Sequence, residues 1–144
     1  MRYDPRPLLV RILVKTSVTP NMVTLAGLLI TASSAYVIIA KEWLVVGGII
    51  FFLGSALDSI DGALARETNQ ASPFGAFLDS LVDRIQEGLI FSSLAIYFHH
   101  QDDTPGLMFA VYALTASFAV SYARARAEGL SIHGETGIMP RPAR

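Results

Sequence analysis

Four long apolar stretches, at about 20–40, 43–66, 75–98 and 105–127, alternate with short polar segments. Each is long enough to cross roughly 30 Å of hydrocarbon, which takes about 20 helical residues. The first runs from Asn21 to Ala40 without a charge and follows Pro20, a residue suited to a helix start. The second begins at Trp43, a residue type favoured at membrane interfaces, and ends at Arg66. The third is expected from Gly75, with Ser72 and Pro73 in a loop, and the fourth follows Pro105 and Gly106. Only helices or closed barrels satisfy backbone groups in lipid, and these stretches lack the alternation of barrel strands. The pattern predicts an all-α fold, a polytopic transmembrane helical bundle with four spans, as one domain over residues 1–144. Ahead of the spans, residues 4–16 set Leu8, Leu9, Ile12 and Leu13 among Arg6, Arg11 and Lys15. This resembles a short amphipathic helix on the membrane surface; the plainer alternative is a basic topogenic arm.

Composition agrees with a membrane protein: 52% of the residues are hydrophobic, 16% are charged, and the mean hydropathy is +0.47. The start of the chain lacks the charged region, short apolar core and cleavage site of a removable signal, so the first span is expected to stay in the membrane. With no cysteine, disulfides, thiolate metal sites and a cysteine nucleophile are excluded. The net charge of −1 says little, but its distribution sets an orientation. Arg2, Arg6, Arg11 and Lys15 precede the first span, Arg66 closes the second, and Arg124, Arg126, Arg141 and Arg144 lie at or beyond the end of the fourth. The opposite side holds Lys41 with Glu42 and the loop from His99 to Asp103. Positive segments stay cytoplasmic, so both termini and the loop at 67–74 are expected there. The basic residues sit at helix ends rather than on one exposed face, which argues against nucleic-acid binding.

The second and third spans carry four carboxylates, Asp58, Asp61, Asp79 and Asp83. Acids inside a membrane are costly and mark functional sites. Spacings of three and four put each pair on one helix face. The two helices run antiparallel across a short loop. At about 1.5 Å per residue Asp58 and Asp83 should meet at one depth, roughly 12 Å from the loop, with Asp61 and Asp79 nearer to it. The expectation is a square of carboxylates open to the cytoplasm. Four such groups cannot all ionise together unless cations compensate. Two divalent ions would balance a formal charge of −4, and oxygen-only ligands favour Mg²⁺ or Mn²⁺, suited to phosphoryl chemistry on a diphosphate. On the acids alone, a proton relay or ion transporter competes with this reading, and a structural set of acids protonated or paired with Arg66 and Arg84 is the bland alternative.

The residues around the acids narrow the choice. Asp58-Ser-Ile-Asp61-Gly62-Ala-Leu-Ala65-Arg66, then Gly75-Ala-Phe-Leu-Asp79-Ser-Leu-Val-Asp83, resembles the complete signature of the CDP-alcohol phosphotransferase family. The resemblance extends to Thr19-Pro20-Asn21-Met-Val-Thr24 in the first span. It implies transfer of a phosphoalcohol group, such as phosphatidyl, from a CDP-linked lipid donor to an acceptor hydroxyl, releasing CMP, in phospholipid biosynthesis. It implies two Mg²⁺ or Mn²⁺ ions on Asp58, Asp61, Asp79 and Asp83, with Asp83 as the general base. It also implies a CDP site of Pro20, Asn21, Thr24, Gly62, Ala65, Arg66 and Gly75, and a homodimer in the cell membrane with a cytoplasmic active site. Physically, Gly62, Gly75 and Ala65 leave room for a nucleotide or for close helix packing, and Arg66 can hold a phosphate or merely anchor the helix. Pro20, Asn21 and Thr24 have a simpler alternative role as a helix start. An intramembrane prenyltransferase would also bind a diphosphate, but its motif lacks this glycine and Ala-Arg spacing.

The fourth span ends in Ser121-Tyr122-Ala-Arg124-Ala-Arg126, and Gly137-Ile-Met-Pro140-Arg141-Pro142-Ala-Arg144 follows. This resembles the phosphatidylinositol-phosphate synthase branch of the family, with Arg124 where that branch usually has Lys. The resemblance implies that Arg124, Arg126, Arg141 and Arg144 bind the phosphate of the acceptor, inositol phosphate, leaving glycerol phosphate or another polar alcohol as alternatives. Arginine grips phosphate bidentately, although the same residues also serve as positive-inside anchors. The family normally has six transmembrane helices, so four spans imply a chain truncated at its C-terminus. Glu87 is expected to pair with Arg84, and His99, His100 and His133 to be solvated. Met and aromatic residues along the spans are expected to face lipid or the core.

Overall fold

The computed structural model describes residues 8–131, except for the side chains of Leu8, Leu9, Arg11, Asp58 and Ser59. Five helices follow one another: α1 (Leu8–Leu13), α2 (Pro20–Lys41), α3 (Leu44–Glu67), α4 (Pro73–His100) and α5 (Thr104–Gly129). Among the described residues there is no strand. By length and composition α2, α3 and α5 can each cross a membrane. α4, with 28 residues, is also long enough, but its apolar character is diluted by Asp79, Asp83, Arg84 and Glu87. The four expected spans are therefore four long helices, and three of them carry the hydropathy of a span on their own.

Local chemistry explains the helix starts. Thr19 caps α2 by accepting from the Met22 amide, and Pro20 occupies the first turn, where it sacrifices no hydrogen bond. Ser72 does the same for α4 through the Gly75 amide at 3.0 Å, so Ser72 and Pro73 begin the helix rather than sit in the expected loop. Asp103 caps α5 through the Gly106 amide at 3.0 Å, which places Pro105 and Gly106 inside that helix. The expected surface helix over 4–16 lies in part outside the described residues, since residues 4–7, Arg6 among them, precede these; Arg2 also lies outside them. Within them it is a single short helix that ends at Leu13, where the Thr16 hydroxyl donates to the Leu13 carbonyl at 2.7 Å. Its Val10 is fully buried and the helix rests on α3, so its inner side meets protein.

α2 is the central helix, packed against both α3 and α4, whereas α3 and α4 touch each other only slightly. Its buried face repeats at helical spacing through Thr24, Gly27, Thr31, Ser34 and Ile38. The facing side of α3 places Gly47, Gly54 and Asp61 seven residues apart. At the crossing, a Cβ on Gly54 would stand 3.1 Å from the Thr31 hydroxyl oxygen and 3.3 Å from the Gly27 carbonyl. These backbones therefore approach closely, and Ser34 donates to the Gly47 carbonyl at 2.7 Å. Lipid tails are as apolar as Leu, so helix association here relies on small residues and hydroxyl bonds. Large apolar side chains accordingly point outward, Val45 at 75% and Phe109 at 74% exposure. Gln86 of α4, 5% exposed, accepts from Thr31 at 3.3 Å, and its amide nitrogen is the buried polar atom without a partner among the described residues. At the end of the bundle away from the acids, Glu42 accepts from Gln101 at 3.0 Å and lies 3.5 Å from His100, so His100 is half exposed but touches a partner.

Candidate active site

The start of α2, the end of α3 and the start of α4 meet at one end of the bundle and leave a cleft between them. Its volume is about 240 Å³, a little under the usual range of small-molecule sites, and it opens widely to the outside. Pro20, Asn21, Thr24, Gly62, Ala65, Arg66 and Gly75, which the family resemblance assigns to a nucleotide site, all line it, together with Asp61 and Asp79. The slight contact between α3 and α4 is what makes room: α2 holds both helices and the gap between them stays open.

The floor of the cleft is acidic. Asp61 is 5% exposed and accepts a short hydrogen bond from the Thr24 hydroxyl. Asp79 lies across from it on α4, within electrostatic reach of both Asp61 and Asp83. Among the described residues neither Asp61 nor Asp79 has a cationic partner, whereas Asp83 has the Arg84 guanidinium at 3.6 Å. Two neighbouring carboxylates that face a cleft and have no ion-pair partner among the described residues are a donor set that fits a hard divalent ion. The side chain of Asp58, the fourth expected acid, lies outside the described residues. Among the described residues no three acidic or histidine side chains converge on one point.

Gly62 and Gly75 face this cleft more than they serve helix packing. A Cβ on Gly62 would meet only the Arg66 guanidinium at 3.7 Å, and one on Gly75 would meet the capping Ser72 hydroxyl at 3.2 Å and Asn21 at 3.6 Å. Close packing falls instead to Gly27, Gly47 and Gly54, which the sequence did not single out. The sequence also passed over Gln70, Ala71 and Ser72, which form the rim. Their position follows from the end of α3. The Gln70 amide donates to the Ala65 carbonyl at 2.9 Å and Asn69 to the Arg66 carbonyl at 3.4 Å, with Asn69 at φ 54°. This Schellman-type turn folds the chain back over the cleft, and an Asn at that position was its sequence signal.

A second cleft opens beside the first, between α4 and α5. Asp83, Arg84, Ser80, Ser121, Tyr122 and Arg124 line it with Glu128. Asp83 thus stands between the two clefts, next to Asp79 along α4 and opposite Arg124 on α5. Arg126, expected in the same site as Arg124, does not line it. A two-residue step rotates a helical side chain by about 200°, so Arg124 and Arg126 point to opposite sides of α5. Arg141 and Arg144 lie outside the described residues. Glu87 pairs with Arg84 at 2.5 Å, as expected.

Comparison with known proteins gives the family and the fold. Residues 17–134 match the profile of the CDP-alcohol phosphatidyltransferase family. An uncharacterised protein of Aquifex aeolicus is 41% identical over 130 residues, 90% of this chain and 66% of its own length. An archaetidylinositol phosphate synthase of Pyrococcus horikoshii is 39% identical over 116 residues, covering 81% of this chain and 58% of the relative. The crystal structure of Mycobacterium tuberculosis phosphatidylinositol phosphate synthase with CDP-DAG bound superposes with a TM-score of 0.80 at 32% identity, covering 93% of this chain and 68% of that one. The same enzyme in complex with manganese and citrate gives a TM-score of 0.81. The chain spans about three fifths to two thirds of the length of the curated relatives it matches. This integral membrane chain belongs to the CDP-alcohol phosphatidyltransferase family.

Proposed function

We propose that the protein transfers a phosphatidyl-type group from a CDP-linked lipid to the hydroxyl of a phosphorylated polar alcohol, with inositol phosphate as the leading acceptor, and releases CMP. The observation that carries this reading is the first cleft: seven residues from three helices converge there beside Asp61 and Asp79, and Asp83, one turn on from Asp79, lines a second cleft that also holds Arg124. The names of the relatives support the acceptor, since they are synthases of inositol phosphate lipids.

In this reading Pro20, Asn21, Thr24, Gly62, Ala65 and Gly75 shape the pocket for the cytidine nucleotide, and Arg66 holds a phosphate by charge-assisted bonds. Asp58, Asp61 and Asp79, with Asp83 adjacent, would hold Mg²⁺ or Mn²⁺, two ions in all, whose charge would offset that of the diphosphate and ease the departure of CMP. The manganese complex of the Mycobacterium tuberculosis enzyme supports the choice of cation. Thr24 acts through Asp61, whose carboxylate it orients. Arg124 receives the phosphate of the acceptor, and Asp83 takes the proton of its hydroxyl. That oxygen bonds to the β-phosphorus, and the bond from this phosphorus to the CMP oxygen breaks. A recessed site at the end of the bundle lets the lipid tails stay in the bilayer while the nucleotide meets water.

The same reading puts this end on the cytoplasmic side and includes a homodimer. Cysteines introduced at Lys41 or Gln101 should react with an impermeant reagent from outside intact cells, and one at Gln70 should not; the reverse pattern overturns the orientation. The activity itself is tested by supplying the full-length protein in proteoliposomes with CDP-diacylglycerol, Mg²⁺ and a panel of acceptors, and measuring CMP. Release should require inositol phosphate or a similar phosphorylated alcohol and vanish in excess chelator. No CMP release with any acceptor, or full activity in chelator, sinks the proposal.

A further inference from the structure

The ion pair within α4 belongs to neither the nucleotide cleft nor the transfer step. Arg84 and Glu87 lie roughly three and four turns beyond Pro73, about 16 and 21 Å along a helix whose sequence reads as a membrane span. Charges at such depth are costly and call for a purpose. The pair is not closed on itself. Arg84 also donates to the hydroxyl oxygens of Ser121 and Ser117 on α5, and the Ser117 hydroxyl donates to the Glu87 oxygen that Arg84 binds. The rest of α5 is weakly held: of its described residues only Ala110 is buried, and its packing partner is α4. Helix association in lipid depends on such polar locks and small contacts rather than on burial of apolar surface.

The position of the lock gives it a consequence. Arg84 and Ser121 belong to the wall of the second cleft, with Asp83 next to one and Arg124 a turn beyond the other. We propose that Glu87, acting through Arg84 and the two α5 serines, sets the register of α5 on α4 and so holds Arg124 opposite Asp83 to receive an anionic acceptor. Glu87 is thus a positioning residue for the acceptor, an inference that rests on the transferase reading above. A slip of α5 by one residue would rotate Arg124 by about 100° and take it out of the cleft. Glu87 also occupies Arg84, whose other carboxylate neighbour is Asp83 at 3.6 Å. The nucleotide cleft, built by α2, α3 and the first turns of α4, contains no part of this lock.

The test compares wild type, Glu87→Gln, Glu87→Asp and Ser121→Ala as full-length proteins in proteoliposomes with CDP-diacylglycerol and inositol phosphate. Spin labels on cysteines at Phe77 and Ala123 report the distance between α4 and α5 in the same samples. Glu87→Gln should raise the KM for inositol phosphate about tenfold or more while the KM for the CDP-lipid stays within about twofold. Glu87→Asp should restore most of the loss, and the distance distribution should broaden in Glu87→Gln and, to a smaller extent, in Ser121→Ala, but not in Glu87→Asp. Ser121→Ala should shift the acceptor constant in the same direction by a smaller factor, and it decides the matter if Glu87→Gln does not reach the membrane. An unchanged acceptor KM, donor and acceptor constants rising together, or an unaltered distance distribution overturns the inference. If wild type releases no CMP at all, the transferase reading fails, and the distances, which need no turnover, still decide whether the lock exists.

Discussion

The two clefts at the acidic end of the bundle differ in how they are held. The first is walled by three helices, with α2 packed on both α3 and α4 and with Asp61 buried and bonded to Thr24. The second is walled by two helices, one of which is buried at Ala110 alone among its described residues. The first is therefore rigid by packing, and the second depends on a few polar contacts between α4 and α5. In the proposed transfer, the contrast suits a donor gripped through a fixed nucleotide and an acceptor that enters and leaves beside it. It also separates the roles of two acids only four residues apart: Asp79 belongs to the packed cleft and Asp83 to the looser one.

The largest effects should come from that pair of acids, and they should differ in kind. Asp83→Asn should lower kcat by about 10²–10⁴, the usual contribution of a general base, while donor binding is largely kept. Asp79→Asn should lose both turnover and donor binding, read by CMP release and by binding of a CDP-lipid. Equal donor affinity in the two variants would erase the distinction between the clefts. Next, Arg124→Ala should raise the KM for inositol phosphate by about 10–100-fold, the loss of a charge-assisted phosphate contact, with little change for the CDP-lipid. An unchanged acceptor constant, or acceptance of unphosphorylated inositol equally well, would remove the second cleft from the acceptor while leaving the first intact. Thr24→Val deletes the hydroxyl that orients Asp61, and should raise the Mg²⁺ concentration needed for half-maximal activity by about 10-fold or somewhat more. A metal requirement identical to wild type would show that Asp61 needs no such support. The smallest effect should come from Arg126→Ala, within about twofold in every constant, because Arg126 does not line the second cleft. A loss as large as that of Arg124→Ala would mean that α5 presents a different face.

Much of this arrangement is legible in the order of residues along the chain. Uninterrupted apolar runs have one stable form in lipid, so the four long helices can be placed to within a few residues, and acids within such runs point at the working end. The resemblance carried by Gly62, Ala65, Arg66 and Gly75 around Asp61 and Asp79, with Pro20, Asn21 and Thr24, names seven of the residues that line the first cleft but not Gln70, Ala71 or Ser72. The errors have local causes. Ser72 and Pro73 read as a loop because Pro disfavours helix interiors, yet at a capped first turn it costs nothing. Arg124 and Arg126 read as one group because the sequence shows proximity along the chain, whereas on a helix a two-residue step turns the side chain to the other side.

What the sequence determined by itself was therefore the helices, their polar ends and the chemistry concentrated at one of them, because lipid forces backbone pairing within each helix and makes each intramembrane charge conspicuous. What the tertiary structure alone decided was which helix stands in the middle. α2 carries no acid, but its Gly27 meets Gly54 at a distance that an added Cβ would crowd, and by holding α3 and α4 it keeps the cleft between them open. The tertiary structure also decided that the lone Glu87 would join Arg84 to two serines on the next helix. Both outcomes depend on helix register and crossing, which arise from contacts between residues distant in sequence and leave no periodic trace along the chain.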